Sequence, residues 1–119
     1  MRDLIMNEAL ELLKNEIIND YERFQNAGRS WQERNEIQAS RLEEFINGIE
    51  IEEGRKYIKV ISNRSAWGFI VKGDNDKKFR KGDILKAASW AAPARNAARG
   101  NVLDGDFSWV RWTGPSYLS

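Results

Sequence analysis

The sequence predicts an α+β protein: two N-terminal helices, then a small antiparallel β-sheet with a short helical insertion. Apolar residues recur every three or four positions in the first 53 residues and alternate with polar residues after Gly54. The segment 93–100, which a proline opens and a glycine closes, predicts the helical insertion. With 119 residues the chain is expected to form a single domain, with a helical part at 1–49 and a β part at 54–119.

The first helix is predicted over residues 3–26, with Gly28 as its C-terminal cap. A second helix should start at Ser30, which forms an S-x-x-E capping box with Glu33, and stop at Gly48. The two helices should form an antiparallel pair whose apolar stripes pack in the core or at a subunit interface. These stripes consist of Leu10, Leu13, Ile17, Tyr21 and Phe24, then Ile37, Leu42, Phe45, Ile46 and Ile49.

The β part begins with two segments that alternate or are rich in β-branched and aromatic residues, 56–61 and 65–71. A tight turn at Asn63 and Arg64 should join them as a hairpin, and a loop is expected at 73–76. Further strand segments are predicted at Phe79, 84–87, 102–103 and 109–112.

The chain contains no cysteine and no histidine. It therefore lacks a thiolate nucleophile, the usual general base and the commonest metal ligand. The sequence predicts no catalytic residue, no metal site and no cofactor, so a binding protein is expected rather than an enzyme. No apolar run approaches 18 residues and no signal-peptide pattern opens the chain, so we expect a cytoplasmic protein without a membrane segment.

Charge is strongly segregated although the formal net charge is only +1. Residues 1–53 carry 6 Lys and Arg against 13 Asp and Glu, whereas residues 54–99 carry 12 against 3. Such asymmetry indicates either an anionic partner for the basic part or mutual neutralisation of the two halves.

Arg95 and Arg99 are the leading candidates for a functional pair. On a helix over 93–99 their spacing of four would aim both guanidiniums the same way, as a fork for phosphate or carboxylate oxygens. The alternative is a surface turn whose arginines pair with Asp104 or Asp106.

Aromatic and basic residues in the second half offer further candidates. Trp67 could stack on a base because its neighbours are small, although most tryptophans are core residues. The same two interpretations apply to Trp90, Trp109 and Trp112. The basic cluster at 77–81 would either follow a phosphate backbone or form a solvated loop.

From residue 56 to residue 118 the chain resembles a set of small phage-encoded proteins. The matching pattern is a KYIKVI strand, a GFIV strand, the stretch GDILKAASWAAPARNAARGN and a closing GPSYL. Together with the two-helix start, this β part is similar to the Thoeris anti-defence sponges of phages. The resemblance implies a protein of the infected host cytoplasm that binds a cyclic ADP-ribose isomer without cleaving it. It also implies a homodimer or higher homo-oligomer with pockets between subunits and, in some members, separate sites for cyclic oligonucleotides.

The resemblance also assigns site residues. Arg95 and Arg99 match an arginine pair that holds the pyrophosphate, and Trp67 matches an aromatic that stacks on the base, with Phe69 as the fallback. An asparagine contributes as well, either Asn101 or Asn75. Helical residues of the partner subunit would close the pocket, and the candidates are Arg23, Arg29 and Arg41.

Two other functions remain open at this point. A nucleic-acid-binding protein would use residues 72–81 with the arginine pair, but the acidic helices would repel a polyanion. An inhibitor of a host enzyme would use the acidic helices as its contact surface.

Overall fold

The computed structural model describes residues 2–27 and 36–116 and has an α+β fold, as predicted. The helices are α1 (Arg2–Asn26) and α2 (Glu36–Asn47). An antiparallel sheet in the order β1-β2-β3-β4 is formed by β1 (Glu50–Glu53), β2 (Tyr57–Ser62), β3 (Ser65–Val71) and β4 (Ile84–Lys86). A small separate hairpin consists of β5 (Val110–Arg111) and β6 (Gly114–Pro115).

The predicted first helix is confirmed, and its apolar stripe packs in the core as far as Tyr21, whereas Phe24 is exposed. Leu13 and Ile17 are fully buried in one cluster with Val60, Ile70 and Ile84 of the strands. Complete burial of each such side chain stabilises the fold by about 1.5–3 kcal/mol. The helices and the sheet therefore share a hydrophobic core on what we call the first face of the sheet.

The helices run antiparallel, as expected. The rings of Tyr21 and Phe45 stack with centroids 4.1 Å apart, and the Gln25 and Gln38 side chains each donate to the other's backbone carbonyl, at 3.0 and 3.3 Å. The end of α2 at Gly48 is also confirmed. The proposed cap at Gly28 and the capping box of Ser30 and Glu33 lie outside the described residues.

The β2–β3 hairpin forms where the alternation predicted it. Asn63 and Arg64 both have positive φ angles, 53° and 64°, as a tight two-residue turn requires. Val60 pairs with Gly68 but Ile61 pairs with Ala66, so Trp67 is an extra residue in the register. This bulge turns the Trp67 side chain into the first-face core.

The opposite, second face of the sheet has its own apolar cluster of Phe69, Val71 and Leu85 with Phe79 packed on it. Phe79 lies in a loop, so the predicted strand there is wrong, and residues 102–103 form a turn instead of a strand. Conversely, the edge strand β1 was not predicted from sequence. Its residues are all exposed and three of its four are glutamate, so pairing with β2 is what makes it a strand.

The predicted helix over residues 93–99 is wrong. The backbone N–H of Ala94 donates to the Lys86 carbonyl at 2.7 Å, and that of Arg99 donates to the Ile84 carbonyl at 2.7 Å. The segment thus lies along the outer edge of β4 and satisfies strand hydrogen-bonding groups that would otherwise lack partners. A helix of seven residues has little stability of its own, so this pairing outweighs the helix propensity of the alanines.

The loop after this segment is fixed by Gly100 and Asn101. Gly100 has φ +116°, and a Cβ at this position would collide with the Asp106 carbonyl oxygen. Gly105 also has a positive φ, +69°, but a Cβ there would meet nothing within 4 Å. No helix within residues 2–27 and 36–116 is long and apolar enough to span a membrane.

Candidate anion-binding site

A cleft lined mainly by basic residues lies where β2 begins and β3 ends. Its volume is about 660 Å³, and its walls come from the β1–β2 turn, the loop after β3 and the segment that follows β4. Five cationic side chains line it, against a single carboxylate, that of Asp76. The cations are Arg55, Lys56, Lys72, Lys77 and Arg95. We call this site the basic cleft.

Arg95 is held in the cleft by Asp76 and Tyr57. Its Nη1 and Nη2 donate to the two carboxylate oxygens of Asp76, both at 2.9 Å, and Nη1 also donates to the Tyr57 hydroxyl at 2.5 Å. The guanidinium carbon lies 4.9 Å from the centre of the Phe79 ring. Asp76, and then Tyr57, raises the pKa of Arg95 above its ordinary value. The Arg95 guanidinium is therefore already oriented for bidentate binding, and in this structure it binds the Asp76 carboxylate of its own chain.

The loop after β3 positions Asp76 through an Asx-type turn. Its Oδ1 accepts hydrogen bonds from the backbone N–H groups of Lys78 at 2.8 Å and Phe79 at 3.0 Å. Together with the Arg95 guanidinium, which is the largest cause, these donors hold the pKa of the Asp76 carboxyl well below its usual range. Asp76 is thus ionised and neutralises one of the five cations.

Three of the remaining cations have no partner in the part of the chain that the structure describes. The side chains of Arg55, Lys56 and Lys77 are exposed and make no hydrogen bond or ion pair within residues 2–27 and 36–116. The Lys72 ammonium donates to the Gly54 carbonyl at 3.1 Å and lies 3.4 Å from a Glu53 oxygen. The cleft therefore has an excess of positive charge that residues 2–27 and 36–116 do not balance.

Arg99 does not share this site. It is 2% exposed, and its Nη1 donates to Asn96 Oδ1 at 3.0 Å and to the Ala97 carbonyl at 2.8 Å. Its Nε has no hydrogen-bond partner in the described part of the chain. Burial, and then the Arg99 charge, lowers the pKa of the neighbouring Lys86. In the described structure the two guanidiniums have no hydrogen-bond partner in common, and only Arg95 lines the basic cleft. The predicted fork also depended on a helix over residues 93–99, which the structure does not have.

The two aromatic candidates are core residues. Trp67 and Phe69 are each 3% exposed, in the first-face and second-face clusters respectively. The Trp67 indole N–H donates to the Arg111 carbonyl at 2.8 Å. The small neighbours of Trp67 therefore do not leave its ring open, contrary to the expectation.

The two asparagine candidates lie apart. Asn101 is 4% exposed; its amide donates to the Lys81 carbonyl and to Asp83, and its oxygen accepts from two backbone N–H groups of the following turn. All its hydrogen-bonding groups thus hold loops together. Asn75, in contrast, lines the basic cleft.

Among the helical candidates that the structure describes, neither Arg23 nor Arg41 lines the basic cleft in this single chain. Arg41 lies beside the rings of Tyr21, Phe24 and Trp112 at a smaller cleft of about 260 Å³, near the turn that closes the β2–β3 hairpin. Arg23 lies in the last turn of α1, 3.4 Å from Asp20. Arg29 lies outside the described residues.

Sequence reasoning grouped Lys72 and Lys77 with the arginine pair, in the nucleic-acid alternative, but missed Arg55 and Lys56 as members of the same site. The excess of cations over residues 54–99 was the available signal, and the antiparallel register then brings the start of β2 beside the end of β3. Within the described residues, no cluster of three or more carboxylates could hold a metal ion.

The fold and the cleft define a small α+β protein with a cation-lined surface site. The chain belongs to the family of unknown function DUF7717, which matches residues 5–116. No curated protein and no solved structure matches the chain.

Proposed function

We propose that this protein binds a small ligand with two or more phosphate charges in the basic cleft and sequesters it. The observation that carries the proposal is the convergence of five cations on one cleft of about 660 Å³, three of which have no partner among the described residues. This volume is in the range of small-molecule sites, and phosphate oxygens are strong acceptors for guanidinium and ammonium donors.

Arg95 supports a phosphate ligand in particular. Its bidentate contact with Asp76 has the geometry that a phosphate would also accept. Because the ion pair is partly exposed, exchanging the carboxylate for a more highly charged ligand costs little. In the absence of ligand, Asp76 would then occupy the phosphate position and keep the Arg95 guanidinium ordered.

The resemblance to the Thoeris anti-defence sponges specifies the ligand class further. It favours a cyclic nucleotide immune signal, either a cyclic ADP-ribose isomer or a cyclic oligonucleotide, bound without cleavage in the host cytoplasm. The lack of histidine and cysteine supports binding without turnover. A Kd near 1 nM would require a binding free energy of about 12 kcal/mol, to which several charge-assisted contacts of about 1.5–3 kcal/mol each would contribute.

Self-association is part of the same proposal. The acidic helices of one copy and the basic region 54–99 of another are complementary in charge, and Leu12 on α1 is 53% exposed. Analytical ultracentrifugation should give a sedimenting mass of at least two chains. A single 13.8 kDa species at high protein concentration would contradict this part.

The test is isothermal titration with cyclic ADP-ribose isomers, ADP and pyrophosphate. Lys56→Gln and Lys77→Gln should each weaken binding by about tenfold, because each removes one charge-assisted contact. The matched control is Arg64→Gln, which removes one exposed charge at the far end of the β2–β3 hairpin, about 20 Å from the cleft. Equal losses in all three variants, or no binding of any ligand, would overturn the proposal.

A nucleic-acid ligand is the second candidate, because the basic cluster at 77–81 continues from the cleft. It is weaker, since the structure pairs Arg80 with Asp104 and bonds the Lys78 ammonium to the Arg95 carbonyl. Binding of oligonucleotides with a steep log–log salt dependence would favour it over a small ligand.

A further inference from the structure

Trp90 is a large aromatic residue that the structure holds out at the tip of a turn. The N–H groups of Ala88 and Ser89 both donate to the Ala92 carbonyl, at 2.9 and 3.1 Å, and this closes the turn beneath the indole. Trp90 is 52% exposed, in contrast to the buried Trp67. Core packing therefore does not account for a tryptophan at this position.

One face of the indole rests on a cation. The Lys59 ammonium lies 4.1 Å from the ring centroid, and it is also 3.9 Å from a Glu52 oxygen. A cation on one face holds the ring in place, and about half of the Trp90 surface remains exposed. Ala91 and Ala92, which follow Trp90 in the chain, are exposed as well.

The ring and the basic cleft lie along the same strand. Lys59 and Tyr57 are two residues apart on the second face of β2, a spacing of about 7 Å. Trp90 lies on Lys59, and the Arg95 guanidinium binds the Tyr57 hydroxyl. An aromatic surface and a phosphate-binding fork thus occupy neighbouring positions, as the base and the phosphates do within one nucleotide.

We infer that Trp90 stacks on the base of a nucleotide whose phosphates lie in the basic cleft. This inference rests on the proposed function and specifies its ligand as a nucleoside diphosphate or a larger nucleotide. It assigns the stacking role to an exposed tryptophan, whereas Trp67 and Phe69 are buried. Every base has a flat face, so the contact selects for a nucleotide over a simple phosphate and not for one base over another.

The test compares ADP with pyrophosphate, since only ADP has a base. In isothermal titration the wild-type protein should bind ADP about 5- to 150-fold more tightly than pyrophosphate, the range that one stacked base supplies. Trp90→Ala should remove this difference and leave pyrophosphate binding unchanged, and Trp90→Phe should keep most of it. Phe24→Ala is the control, because Phe24 is a similarly exposed aromatic (58%) near the small cleft that Arg41 lines.

Each outcome separates the two proposals. If ADP and pyrophosphate bind equally well and Trp90→Ala changes neither, the stacking inference is wrong and the basic cleft stands. If Trp90→Ala weakens both ligands equally, Trp90 has a structural role and the inference is also wrong. If neither ligand binds, the proposed function fails and the inference fails with it. Quenching of indole fluorescence by ADP but not by pyrophosphate, lost in Trp90→Ala, gives a second readout.

Discussion

Trp67 is the residue at which a ligand-stacking role and a structural role predict different effects of substitution. The structure buries its ring in the first-face core and uses its N–H on the Arg111 carbonyl at 2.8 Å. Trp67→Ala should cost about 3–5 kcal/mol for the lost burial and the cavity it leaves. Trp67→Phe keeps an aromatic ring but leaves the carbonyl without its donor, which should cost about 1–3 kcal/mol. Against a total stability of about 5–15 kcal/mol, even the conservative change is measurable.

Urea unfolding followed by far-ultraviolet circular dichroism measures this loss without relying on tryptophan fluorescence. With an m-value of about 1–3 kcal/mol per molar urea, Trp67→Phe should lower the unfolding midpoint by roughly 1 M. Its affinity for ADP and pyrophosphate should stay within about twofold of wild type, provided that the assay is run where the variant is folded. Trp90→Phe, at an exposed position, should leave the midpoint unchanged. A wild-type midpoint for Trp67→Phe together with a loss of ADP affinity would refute the structural role.

Four further predictions follow from the structure. Asp76→Asn should bind pyrophosphate more tightly, because the amide oxygen can keep the turn while Arg95 loses its competing carboxylate, and titration calorimetry would show this. Because the pKa of Asp76 is lowered in the folded state, ionised Asp76 stabilises the fold fully above the unfolded pKa of about 4, and this stabilisation is lost as the pH falls below about 4. The melting temperatures of the wild type and of Asp76→Asn should therefore converge in acid. Arg99→Met should leave pyrophosphate affinity unchanged, because Arg99 is buried away from the cleft; a tenfold loss would contradict this placement. Gly100→Ala should destabilise the fold by about 3 kcal/mol or more in urea unfolding, whereas Gly105→Ala should cost about 1 kcal/mol, since both strain φ but only Gly100 also meets a carbonyl oxygen.

Local sequence patterns predicted the elements that are specified by neighbouring residues, namely the amphipathic first helix and the β2–β3 hairpin. The first helix follows from its stripe, in which Leu13 and Ile17 recur at helical spacing and prove fully buried. The hairpin follows from alternation and from Asn63, a residue type that tolerates the positive φ of a tight turn. These signals lie within a few residues of the structure that they specify.

Other features depend on partners that are distant in the chain. Residues 93–99 have helix-forming composition, but the open edge of β4 supplies hydrogen-bonding groups that a short helix could not replace. The small neighbours of Trp67 in the sequence predict an accessible indole ring. A single extra residue in the β2–β3 register instead turns that ring into the core. In the same way, the pairing of β2 with β3 brings Arg55 and Lys72 to one cleft with Arg95.

The central claim is that the basic cleft is where an anion binds. The most direct test is an amide ¹H–¹⁵N chemical-shift titration of the whole chain with pyrophosphate. We predict that the largest shifts occur at residues 54–57, at residues 71–77 and at Arg95, the three segments that form the cleft. Shifts centred instead on Arg41 and Trp112, or on Arg99, or no shifts at millimolar pyrophosphate, would contradict this account.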